Sequence, residues 1–209
     1  MNGVIWQHRT CRWVQVSAES KGMNMSNWRP DFVPEHLYFV TTKAVEYAHL
    51  FQRDIIRRLL VDALDCFRTQ KRLELFCFVI MPNHWHWIAQ FHADDPLADV
   101  VRDYKKQTAD RLIRQLKAEE NQKALEWLAA QVERPDKQHY KVWEDGYNAK
   151  DVVTGEFLRQ KMIYIHNNPC QPHWGLSTTP ESYVWSSAWF YLTDEPCIIP
   201  IDDARKLLQ

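Results

Sequence analysis

Two histidines separated by one residue, His84-Trp85-His86, stand in a run of strand-like residues (HWHWIAQF). Alternate side chains of a strand share a face, so both imidazoles project one way while Trp85 and Trp87 project the other. Two nitrogen ligands therefore converge on one point. Two histidines on a solvated strand face give the same pattern, and the pair alone leaves metal binding open. Further on, Tyr164 and Asn168 lie one helical turn apart in a segment that Pro169 must end, so they share a helix face. A packing tyrosine and a helix-stopping asparagine fit that spacing equally well.

Brought together, these residues define a specific chemistry. Two neutral imidazoles and an amide oxygen suit a hard-to-borderline divalent ion such as Mg²⁺ or Mn²⁺, without the thiolates that select zinc. Such an ion acts as a Lewis acid on a phosphodiester. A tyrosine is a competent nucleophile there, because phosphoryl transfer needs mainly an aligned oxygen and charge neutralisation. The product is a 5′-phosphotyrosine link and a free 3′-OH. The covalent link conserves the bond energy, so another 3′-OH can rejoin the strand without ATP.

A site of this kind must also hold a polyanion. The formal net charge of −1, from 26 Lys and Arg against 27 Asp and Glu, gives no global sign of one, so local clusters must serve. Residues 101–117 carry six cations, among them Lys105, Lys106 and Arg111, against Asp103 and Asp110. Trp143 and Tyr147 flank the turn at Asp145-Gly146, where aromatic rings can stack on unpaired bases. A solvated helix face and core packing are the competing readings. Lys105, Lys106, Arg111 and Trp143 are the expected DNA contacts.

The elements that position these residues follow from periodicity. His36 to Thr42 is a first strand, and Leu50 to Gln70 is a helix with apolar residues at three- and four-residue spacing and arginines mostly off that stripe. Leu73 to Ile80 and His84 to Phe91 form a hairpin around Met81-Pro82-Asn83. Leu97 to Leu116 is a second helix, about Ala124 to Val132 a third, Tyr140 to Val153 strand material, and about Glu156 to Asn167 a helix. This order predicts an α+β, ferredoxin-like antiparallel sheet with helices on one face, plus an extra C-terminal helix carrying the tyrosine.

The 209 residues, 45% apolar and 25% charged, suit one folded domain. Residues 1–30 show no period and read as an N-terminal extension, 31–193 as the domain, and 194–209 as a C-terminal tail. Five dispersed cysteines offer neither a disulfide framework nor a zinc ribbon, which points to a reducing cytoplasm. No apolar run is long enough to span a bilayer, and neither a membrane nor a secreted location is expected.

At MPNHWHWI (Met81 to Ile88), WEDGY (Trp143 to Tyr147), YIHNNP (Tyr164 to Pro169) and YVWSSAWFYL (Tyr183 to Leu192) the chain resembles the single-tyrosine HUH transposases, and among them the REP-associated tyrosine transposases (RAYT). The likeness runs in order from about Tyr38 to Leu192. It implies that Tyr164 is the nucleophile, and that His84, His86 and Asn168 hold the metal, with Asn168 where insertion-sequence relatives carry Gln. It also implies a substrate of single-stranded DNA bearing hairpins from repetitive extragenic palindromes (REP or BIME repeats); the sequence leaves both a monomer and a homodimer open. The basic surfaces of the first two helices are the candidates for hairpin contact. The N-terminal extension and a long stretch from Lys117 to His139 depart from the family pattern. Two other readings share these motifs: a catalytically silent, domesticated hairpin-binding protein, and a relaxase-like nicking enzyme.

Overall fold

The computed structural model describes residues 30–208, so the expected extension lies outside the described residues except for Pro30. Its elements run β1 (Leu37–Lys43), α1 (Asp54–Thr69), β2 (Leu73–Ile80), β3 (His84–Phe91), α2 (Leu97–Ala118), α3 (Gln122–Ala130), β4 (Asn148–Asp151), α4 (Gly155–Asn167) and α5 (Ala188–Thr193). The four strands form one sheet in the order β2-β3-β1-β4, every neighbouring pair antiparallel. This is the ferredoxin-like arrangement expected from the order of elements.

Alternation along β3 sorts its side chains onto two faces. Trp85 and Trp87 are fully buried, their rings stacked 4.7 Å apart, and Tyr104 of α2 stacks on Trp85 at 4.7 Å. Each such aromatic pair contributes about 0.5–1.5 kcal/mol beyond area burial. The Tyr104 hydroxyl donates to the carbonyl of Leu60, which ties α2 to α1. The opposite face carries His84 and His86 and is covered by α4. Leu158, Met162 and Ile165 of α4 are buried, and His166 reaches the Cys77 thiol of β2.

Several limits differ from the sequence expectation. Helix α1 begins at Asp54 rather than Leu50: Arg53 is extended (φ −86°, ψ 136°), and Phe51 leaves the helical path to become fully buried, its N–H donating to the Pro82 carbonyl. The region from Tyr140 to Val153 yields only the four residues of β4, together with an isolated bridge between Trp143 and Ala44. Much of the stretch from Lys117 to His139 is α3, which buries Leu125 and Leu128. Beyond α5 the chain runs back along β2: Asp202 N–H donates to the Leu75 carbonyl, and its carboxylate accepts from the Leu75 N–H.

The arginines of α1 are not the free basic face that their positions suggested. Arg53 makes a two-point ion pair with Glu119, Arg57 pairs with Asp54, Arg58 with Asp62 and Arg68 with Asp65. On α2, Arg102 pairs with Asp99 and Asp103, and Arg114 with Asp110. Charges arranged at i,i+3 and i,i+4 neutralise one another locally, so a count of cations overstates the field of these helices.

Candidate active site

The β2–β3 turn and the start of α4 fix the site. Ala44 N–H donates to the Asn83 carbonyl and Met81 N–H to the His84 carbonyl, which sets the register in which Lys43 faces His84 and Thr41 faces His86. Helix α4 is started by Thr154, whose hydroxyl accepts from the Phe157 N–H at 3.1 Å; such a cap contributes about 1 kcal/mol and sets the phase of the helix. Ten residues later that phase turns Tyr164 toward the sheet.

The expected four residues meet. The Tyr164 hydroxyl lies 3.4 Å from His86 Nε2, and the two rings are 5.1 Å apart. The imidazoles of His84 and His86 are 4.8 Å apart. All three line a cavity of about 470 Å³ together with Asn168, Thr41, Lys43, Tyr47, Asn83, Gln171, His173 and Trp174. Tyr164 is 44% exposed, His84 is half-buried, and His86 and Asn168 are buried.

Both imidazoles are oriented from behind. His84 Nδ1 lies 2.6 Å from the Asn83 side-chain oxygen, which can only accept, so Nδ1 carries the proton and Nε2 a lone pair. His86 Nδ1 lies 2.8 Å from Thr41 Oγ1, which likewise leaves Nε2 toward the cavity. Burial, and then the charges of Lys43 and His173, hold the His84 imidazole down to about 4. Burial, then His84, Lys161 and Lys43, holds His86 well below the ordinary histidine range. Neutral imidazoles with one nitrogen anchored and the other free are what a metal ligand requires.

Among the described residues no group of three or more His, Cys, Asp or Glu side chains could hold a metal. A metal at this cleft would therefore need a neutral oxygen as third protein donor, and the amides of Asn168 and Gln171 line the cavity. Two nitrogens and one amide oxygen fit Mg²⁺ or Mn²⁺, and the set carries no thiolate.

The expected DNA contacts divide. Trp143 is corrected from surface to core: it is buried against Phe51, with rings 4.8 Å apart, and its indole N–H donates to Thr108 Oγ1. Lys105 donates to the carbonyls of Glu144 and Gly146, each at 2.6 Å, and holds that turn. Lys106 and Arg111 remain on the outer part of α2 without a carboxylate partner among the described residues. Neither of them lines the cavity, so the structure does not gather the four expected contacts at the cleft. Thr41, Asn83, Lys43 and Trp174 were not foreseen. Only the alternation of Thr41 with Lys43 along β1 hinted at the first and third.

The family model for IS200-like transposases matches residues 35–168, which spans the sheet, both histidines, Tyr164 and Asn168. The chain belongs to that family. Among solved structures it is similar to a REP-associated tyrosine transposase bound to a REP hairpin, with 17% identity and a TM-score of 0.55 over 86% of this chain and 93% of that one. A candidate transposase from Deinococcus radiodurans R1 is 22% identical, with a TM-score of 0.41 over 68% of this chain and 97% of that one. No curated protein matches the sequence.

Proposed function

We propose that this protein cleaves and rejoins hairpin-bearing single-stranded DNA through a 5′-phosphotyrosine intermediate, with Tyr164 as nucleophile. The observation that carries this reading is the Tyr164 hydroxyl beside His86 Nε2, in the cleft shared with His84 and Asn168. Membership of a transposase family and a fold like that of a hairpin-bound REP-associated enzyme support it.

In this reading His84, His86 and Asn168 hold Mg²⁺ or Mn²⁺, which supplies Lewis-acid stabilisation of the phosphate and the departing oxygen when bound. Asn83 keeps the His84 imidazole in the ligating tautomer, and Thr41 holds the His86 ring with Nε2 toward the cleft. Helix α4 aims the Tyr164 oxygen at phosphorus. The Oη–P bond forms, the P–O3′ bond breaks, and overall the phenolic proton ends on the 3′ oxygen. Attack by another 3′-OH reverses these bonds and joins a new partner. A flexible strand can be bent into in-line geometry at such a cleft more cheaply than a stiff duplex.

The test compares labelled top strand, bottom strand and annealed duplex of a REP-type repeat, with Mn²⁺, reading covalent protein–DNA adduct on a denaturing gel. Adduct on one hairpin-bearing strand alone is expected. Equal adduct on duplex, or none on any strand, overturns the reading. A silent hairpin binder would bind the strand without adduct.

A further inference from the structure

Lys43 lines the cleft, and Lys161 stands beside the Tyr164 ring at its edge. Lys43 Nζ donates to the Tyr47 hydroxyl at 2.9 Å and lies 4.9 Å from that ring. Lys161 Nζ lies 5.0 Å from the rings of Phe39 and Phe157 and 5.6 Å from Tyr164. Among the described residues neither ammonium, nor that of Lys150, is ion-paired, whereas Arg53, Arg57, Arg68, Arg72, Lys141 and Arg205 all are. Lys71, Lys106, Arg111 and Lys137 also make no ion pair among the described residues, so what distinguishes Lys43 and Lys161 is their position beside His84, His86 and Tyr164.

Their placement follows one line. Phe39, Thr41 and Lys43 alternate on β1, so they share the face that pairs with Ile88, His86 and His84. Lys150 of β4 faces Phe39 directly, and Lys161 stands over the Phe39 ring. One cation thus marks the His84 end of the cleft and two mark the Phe39 end. Four residues of strand, about 13 Å, separate Lys43 from Phe39, with His86 and Tyr164 between.

We propose that Lys43 and Lys161 hold the phosphates on either side of the scissile one, so that the single strand lies along β1 across Tyr164. This rests on the single-strand cleavage reading above. The backbone is gripped at both ends by point charges that ignore base identity, and the reacting phosphate is fixed by its neighbours.

The test uses full-length protein carrying Tyr164→Phe, so that no strand is cut, in EDTA, with fluorescence anisotropy of a labelled single-stranded repeat at several salt concentrations. Lys43→Gln and Lys161→Met are each expected to reduce the slope of log K against log salt by about 0.7, and the pair by about 1.4. Met at 161 keeps the aliphatic packing on Phe39 and Phe157, and Lys161→Arg should restore the slope. Lys137→Gln, on an exposed segment away from the cleft, should leave it unchanged. A methylphosphonate at one flanking phosphate should cancel the effect of one lysine only. Unchanged slopes in both cleft variants, with the Tyr164 protein still forming adduct, overturn the lysine assignment alone. Absence of adduct from the Tyr164 protein overturns the cleavage reading and this proposal with it.

Discussion

Thr41 Oγ1 lies 2.8 Å from His86 Nδ1, a contact made across 45 residues of sequence by the register of β1 on β3. The hydroxyl, itself nearly buried, fixes which imidazole nitrogen faces the cleft. Loss of such an orienting partner typically weakens metal binding 10- to 100-fold. We predict that Thr41→Val raises the Mn²⁺ concentration needed for half-maximal adduct formation by about that factor, with activity recovered at high Mn²⁺. An unaltered Mn²⁺ titration would show that Thr41 only packs.

Tyr164→Phe removes one oxygen and leaves the ring in contact with Phe39 and His86. Adduct formation and cleavage should vanish, while hairpin affinity stays within a few-fold and the melting temperature is unchanged. Full cleavage by this variant would place the nucleophile on another residue.

Trp143 should behave as a core residue. Truncation of a buried aromatic costs about 3–5 kcal/mol, and Trp143→Ala also leaves the Thr108 hydroxyl without its donor. We predict a loss of that size in urea denaturation, with unchanged single-strand affinity for the protein that remains folded. Normal stability with weakened binding would return Trp143 to the DNA surface.

His166 provides a pH signature. Its Nε2 lies 2.9 Å from Ser187 Oγ and 3.2 Å from Cys77 Sγ, and burial holds the imidazole down to about 3. The unfolded chain takes up this proton near the ordinary value of 6.5, whereas the folded chain does not until about 3. The stabilising contribution is therefore present above 6.5 and is lost as pH falls through that window. His84, held down to about 4, acts in the same direction. His166→Gln should shallow the decline of unfolding free energy between pH 6 and 4 by up to one proton's worth of slope, measured by urea titration at each pH.

Much of this architecture was legible because local signals and tertiary structure agreed. The apolar runs of β2 and β3 and the turn at Pro82 set both strands at their observed limits. The one-residue spacing of His84 and His86 placed them on one face, and the four-residue spacing of Tyr164 on α4 from Asn168 at its C-cap set both toward the cleft. What escaped was set by long-range pairing. The carboxylates that neutralise α1 include Glu119, 66 residues from Arg53. Trp143 beside a turn looks exposed until the bridge to Ala44 turns it inward. Lys161 stands over Phe39, on an element whose proximity no local pattern encodes.

Helix α4 carries Tyr164 and leads into Asn168, whereas both histidines belong to the sheet, so the cleft exists only while the helix is seated. Its grip rests on a short apolar stripe, Leu158, Met162 and Ile165, with His166 beneath. Secondary elements held by few buried residues open at lower free energy than the whole molecule. Heating should therefore silence the protein before it melts: the temperature of half-inactivation is expected below the midpoint of the circular-dichroism transition, and amide exchange along α4 should outpace that of β3.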